Sequence, residues 1–263
     1  MNIGLISDTH LKSDSWQDEI DNLLPTNHVD VMLLLGDIAP YWVIVDICIY
    51  VQEKIGCHVI FVPGNHDYYS YGINLMEISM IESLWRNEAR KNEFVHILIN
   101  KNIVISGIDF FGSTWWSGLD ESDGLVENYS LFSDFRRIIK KWGIEGDIPM
   151  PIMINPHDMR ELNAKSIKAF KAWSNKSKAS KRVLCTHFPM LECMQNPNFE
   201  KSAYFNSQND DLIKKHKPDY ILFGHTHWNI RENVDGITCS SNMYGYSQEV
   251  GSIGFEKEFS IKT

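Results

Sequence analysis

Five short segments of the chain carry side chains suited to holding a hard or borderline divalent metal: Asp8 with His10, Asp37, Asn65 with His66, His187, and His225 with His227. Taken singly, each has an ordinary explanation. Asp37 after Gly36 suits a helix N-cap, Gly64-Asn65-His66-Asp67 suits a turn, and a lone histidine such as His187 is commonly a satisfied core residue. Gly224-His225-Thr226-His227 is harder to explain that way, because residues i and i+2 of an extended segment point to the same side and bring two imidazoles together. The joint occurrence of all five is what points to a metal centre.

The elements that must position these residues are legible around them. Each segment follows an apolar run, and the β-branched or leucine-rich runs at 3–7, 31–35, 59–62, 103–106, 182–186 and 220–223 suit strands buried on both faces. Stretches of helical length at 16–24, 43–54 and 75–91 lie between the early runs, so the first third reads as βαβ alternation. In open α/β sheets ligands bind beyond the carboxyl ends of strands, where these segments fall. Closely spaced strands follow residue 101, and a polar region then precedes a helix expected over 156–175. That polar region, about 117–158, reads as an inserted cap or lid containing one short helix at 130–142. Further strands are expected at 230–234, 237–241 and 255–261. With no repeat and no long linker, residues 1–263 read as one domain.

Composition narrows the function. Of 263 residues, 43% are hydrophobic and 12% aromatic, enough for a large core and against disorder. No apolar run reaches the roughly 18 to 20 residues of a membrane span, and the longest candidate, 42–51, is broken by Asp46. The start lacks a basic region and a small-residue cleavage site, so secretion is not expected. Five cysteines with no close pair suit a reducing, cytoplasmic setting. A net charge of −9 argues against a nucleic-acid backbone as the main partner.

As a set, Asp8-x-His10, Gly36-Asp37, Gly64-Asn65-His66-Asp67, His187 and Gly224-His225-x-His227 resemble the calcineurin-like metallophosphoesterases. Gly112 to Trp116, Asp134 to Ile138 and Asn242 to Tyr246 resemble a bacterial and phage-type branch of that superfamily. The resemblance implies a four-layer α/β/β/α sandwich and a metal-dependent phosphoester hydrolase. It implies one metal on Asp8, His10 and His227, a second on Asn65, His187 and His225, and Asp37 bridging both. Such carboxylate, amide and imidazole ligands suit manganese, with iron or zinc as alternatives. Two divalent ions, two carboxylates and a bridging hydroxide would leave a net positive centre that attracts phosphate, with the hydroxide attacking phosphorus. His66 would then act as general acid, oriented by Asp67. The implied partner is a small phosphoester, a nucleotide among them. A nuclease and a non-catalytic metal-binding scaffold are the rival readings.

Further residues are candidates for substrate contact. Tyr68 and Trp115, with Tyr69, Tyr71, Trp116 and Trp228, crowd the motif loops and could stack a base or simply pack the walls. Arg136 could clamp a phosphate from the lid. Seven basic and no acidic residues between Lys165 and Arg182 form either a steering segment or a solvated helix face. Phe188 stands where related sequences often carry a second histidine.

Overall fold

A computed structural model describes residues 1–12, 14–119, 129–197 and 209–263. The first sheet takes β1 (Asn2–Ile6), β2 (Val31–Leu34), β3 (His58–Phe61) and β4 (Val95–Ile97), connected through α1 (Trp16–Leu23), α2 (Ile44–Ile55) and α3 (Ile78–Ala89). Five more strands and two helices follow: β5 (Lys101–Ile105), β6 (Ile108–Ser113), α4 (Asp134–Arg137), β7 (Ile139–Glu145), β8 (Ile148–Met153), α5 (Pro156–Lys176) and β9 (Lys181–Thr186). The chain continues through α6 (Asp210–His216), β10 (Tyr220–Phe223), β11 (Arg231–Val234), β12 (Ile237–Ser241) and β13 (Ser260–Lys262).

Two large sheets form the centre, ordered β13-β1-β2-β3-β4 and β11-β12-β10-β9-β6-β5, and β7 pairs with β8 apart from them. Strands β1 to β4 run parallel to one another, as do β6, β9, β10 and β12. The registers Ile6↔Leu34 and Leu34↔Phe61 in one sheet, and Ser113↔Thr186 in the other, bring the carboxyl ends of neighbouring strands level. Side chains alternate across each strand, so one set from each sheet meets in the middle. Ile3, Leu5, Val31, Leu33, Ile60, Phe110, Val183, Cys185 and Leu222 form that inner core. The opposite set, including Ile6, Leu34, Phe61, Phe111, Leu184 and Phe223, joins the buried residues of the helices, such as Ile47, Trp85, Phe170 and Trp173. This is an α/β/β/α arrangement, and it explains why the strand runs are apolar without alternation.

The region between β6 and α5 departs from expectation. The helix foreseen at 130–142 is reduced to a 3₁₀ turn over Tyr129–Leu131 and the single turn of α4, after which the chain forms the β7–β8 hairpin. Ile139, Trp142 and Ile144 favour extended backbone, and Gly146 supplies φ of 62° at the first position of a two-residue turn. Residues 120–128 of the expected lid lie outside the described residues. Helix α5 begins where the sequence suggests, because Asn155 and Asp158 form a reciprocal capping box around Pro156 at the first turn. The strand foreseen at 255–261 is confined to β13; the preceding Glu258 carboxylate instead accepts the backbone N–H groups of Thr26 and Asn27. Strand β4 was not foreseen, since three residues are too few to show a period.

Candidate metal centre

The five ligand-bearing segments converge at one end of the sandwich. Asp8 follows β1, Asp37 follows β2, Asn65 follows β3, His187 follows β9 and His225 follows β10. Backbone bonds lock the loops together: Asp8 N–H donates to Gly36 O at 3.0 Å and His10 N–H to Asp37 O at 2.9 Å. The His225 N–H bonds the Asp8 carboxylate at 3.0 Å, and the His66 N–H donates to Asp37 Oδ1 at 2.8 Å. Five of these residues adopt left-handed backbone, with φ of 55° at Asp8, 47° at His10, 54° at Asp37, 76° at His225 and 47° at His227. Such conformations cost of order 1–3 kcal/mol each and gather at functional sites. Close approach of the loops also requires glycine. A Cβ on Gly64 would run into the Asp37 carboxylate and stand 2.6 Å from the Asp37 backbone nitrogen.

Three overlapping sets of ligand atoms form, each within 4.8 Å: Asp8, His10 and His227; Asp37, His187 and His225; and His10, Asp37 and His66. In the first, His10 Nε2 faces His227 Nε2 at 3.3 Å, with Asp8 Oδ1 3.6 Å from the latter. In the second, His187 Nε2 faces Asp37 Oδ1 at 3.4 Å and Asn65 Oδ1 at 3.0 Å. The second nitrogens explain the orientation. His187 Nδ1–H donates to Leu35 O at 2.9 Å and His227 Nδ1–H to Glu249 Oε2 at 2.6 Å, which turns both Nε2 atoms inward as metal ligands require. Asn65 Nδ2 donates to buried Asp134 at 2.9 Å, so the amide oxygen is the atom aimed at the centre.

The electrostatics fit a cation. Asp8 and Asp37 are buried, and among the described residues no Lys or Arg pairs with either. Burial alone would raise Asp37, but the charges of His187 and His66 hold it well below the usual carboxylate range. Burial likewise opposes charge on His187 and His227, yet their carboxylate neighbours raise each to about 9. A pocket that draws protons onto buried imidazoles is one in which positive charge is stabilised. His10, where burial dominates, is lowered to about 4 and stays a neutral donor.

Several expected roles change. Asp67 does not orient the His66 ring. Its carboxylate accepts the N–H groups of Gly64 at 2.7 Å, Asp37 at 2.9 Å, Ile38 at 2.8 Å and Ala39 at 3.3 Å, stapling two ligand loops together. Burial and the charge of Asp37 push its carboxyl up to about 7. The His66 ring stacks instead on Tyr69, centroids 4.3 Å apart, and meets His10 edge-on at 4.8 Å. Tyr68 and Trp115 are buried and offer no face to a ligand: Tyr68 packs between Trp85 and Trp116, and Trp115 against Phe170 with its indole N–H on Asn209. Arg136 is exposed and donates to Leu131 O at 3.3 Å. Its neighbour Arg137 is the guanidinium beside the site, 5.7 Å from the Tyr69 ring and 5.1 Å from Tyr71. Phe188 takes the place of a polar contact with an apolar one, its ring 3.9 Å from that of His225.

Glu249, Asp134, Arg137 and Tyr246 complete the surroundings, and sequence reasoning assigned none of them a role. Tyr246 stacks on His10 at 4.3 Å. Glu249 lies 22 positions beyond His227 in a loop without periodicity, so no pattern could have marked it. The basic stretch is split by the fold. Lys165, Lys168 and Lys171 are exposed along α5, while Lys181 bonds Asp219 and Arg182 the carbonyls of His216 and Lys217. Strand β9 separates Arg182 from His187 by about 16 Å at ~3.3 Å per residue.

Comparison with known proteins agrees with this architecture. Residues 1–229 match the calcineurin-like phosphoesterase family, and the chain belongs to that family of metal-dependent hydrolases. It is 29% identical over 234 residues to the uncharacterized protein L509 of Acanthamoeba polyphaga mimivirus, covering 85% of this chain and 81% of that one. In fold it is similar to the phosphopantetheinyl hydrolase of Mycobacterium tuberculosis, with a TM-score of 0.67 at 18% identity over 94% of this chain and 90% of the other.

Proposed function

We propose that the protein hydrolyses small phosphoesters with two divalent ions, one on Asp8, His10 and His227, the other on Asn65, His187 and His225, bridged by Asp37. The observation that carries this reading is the position of Asp37, whose carboxylate lies in ligand range of His187 and His225 of the second set and of His10, which also belongs to the first. When bound, two such ions, manganese in this reading, polarise phosphoryl oxygens and lower the pKa of water towards ~7. The protein's own contribution is orientation. Leu35 O and Glu249 fix the tautomers of His187 and His227, Asp134 turns the Asn65 oxygen inward, and Asp67 holds the loops in register.

His66 is the proposed proton donor to the leaving oxygen. Its Nε2 lies 3.9 Å from Asp37 Oδ2, and its side chain, 29% exposed, is open to an incoming ligand. The chain's acidic balance and the distance of Arg182 from the centre favour a small phosphoester, such as a nucleotide or a phosphopantetheine ester, over a nucleic acid. Among the described residues no helix is long and apolar enough to cross a membrane. The five free thiols support a reducing, cytoplasmic setting. Hydrolysis of p-nitrophenyl phosphate and bis(p-nitrophenyl) phosphate, with manganese and after chelation, tests the reading. Activity that needs the metal supports it, and full activity in a metal-free preparation refutes it.

A further inference from the structure

Beside the centre lies a cation that the reaction as described does not use. The Arg137 guanidinium rests 5.1 Å from the ring of Tyr71 and 5.7 Å from that of Tyr69, and among the described residues it has no carboxylate partner. Arginine stacked on aromatic faces in this way keeps its donor edge available for a planar or tetrahedral anion. The residue is also tied to the acid loop, because Ser70 N–H donates to the Arg137 carbonyl at 2.8 Å. Tyr69 connects the two groups. Its ring stacks on His66 at 4.3 Å, so the guanidinium lies within about 10 Å of the imidazole. Tyr71 is exposed, and its ring lies 6.2 Å from that of Tyr69, so the two aromatics form one wall beside His66.

We propose that Arg137, backed by Tyr69 and Tyr71, forms a subsite for a second anionic group on the leaving-group side, so that the preferred substrate releases a product that carries its own phosphate. This rests on the proposed role of His66, which defines that side. An arginine hydrogen bond of about 2.9 Å from this position reaches an anion a few bonds beyond the leaving oxygen. A nucleoside diphosphate or a phosphorylated alcohol ester meets that requirement. A monoester of a neutral alcohol offers the guanidinium no second anion.

ADP and AMP distinguish the cases, since loss of the terminal phosphate releases anionic AMP from one and neutral adenosine from the other. The kcat/KM ratio for ADP over AMP should fall about 10- to 100-fold in Arg137→Gln and recover in part in Arg137→Lys, as expected for a charge-assisted contact. An unchanged ratio in an Arg137→Gln protein that hydrolyses both overturns the proposal. Binding of α,β-methylene-ADP supplies a readout independent of turnover. Weaker binding by Arg137→Gln supports the subsite even if the wild type releases no phosphate from either nucleotide, because the hydrolase reading is judged separately with the p-nitrophenyl esters. Equal affinity in the two proteins overturns the subsite alone.

Discussion

His227 and Glu249 form a carboxylate–imidazole pair, with Nδ1 2.6 Å from Oε2, and the opposite nitrogen of the same ring faces Asp8 and His10. The carboxylate holds the proton on Nδ1 and makes Nε2 the better donor. Glu249 also accepts the Tyr246 N–H at 2.9 Å, which anchors the residue stacked on His10. Glu249→Gln should weaken the affinity for one of the two metals by about 10- to 100-fold. Metal titration followed by calorimetry reads this directly. A drop in Tm with unchanged metal affinity would show Glu249 to be a packing residue.

Asp67 should matter for stability before it matters for chemistry. Its two oxygens accept four backbone N–H groups, and asparagine would turn an NH2 group towards two of them. Unsatisfied buried donors cost about 1–3 kcal/mol each, so Asp67→Asn should lose roughly 2–6 kcal/mol in urea unfolding and lose metal with it. Wild-type stability in this variant would return Asp67 to the orienting role first expected.

His66→Ala should behave differently. Its backbone tie to the centre, the N–H donated to Asp37, is one that alanine retains. Metal content should therefore hold while turnover falls by about 10² to 10⁴ with a poor leaving group, and by less with an activated one. Loss of metal in this variant would identify His66 as a ligand, a possibility raised by its place in the third set with His10 and Asp37.

A pH effect on stability arises far from the centre. Burial and the adjacent His58 lower His96 to about 4. A histidine depressed in the folded state is protonated first in the unfolded chain, so its contribution is present above about 6.5 and is lost as pH falls towards 4. Thermal melts at pH 7.5 and 5 should show a smaller acid loss in His96→Gln than in the wild type. An identical loss in both would assign the acid sensitivity elsewhere.

Most of the framework was legible because it rests on local patterns. The strand at Tyr220–Phe223 and the capped helix at Pro156–Lys176 carry their boundaries in their own residues. The ligand segments could be read because each follows a strand, and parallel strands carry their carboxyl-end loops to one place. What could not be read depends on contacts between distant residues. Asp67 beside His66 looks like its partner, but the 3₁₀ turn over His66–Tyr68 aims the carboxylate at the amides of Asp37 and Ile38. Arg136 and Arg137 are equivalent in sequence, and only the turn of α4 decides which one faces Tyr71. Tyr68 and Trp115 look like exposed loop aromatics until the helix layer covers them.

The position of Asp37 between two ligand sets is tested most directly by counting metal. Protein purified with manganese and analysed by inductively coupled plasma mass spectrometry should hold two ions per chain, and Asp37→Asn should lose occupancy at both sites. One ion per chain in the wild type, or two retained in Asp37→Asn, would contradict a centre bridged by this carboxylate.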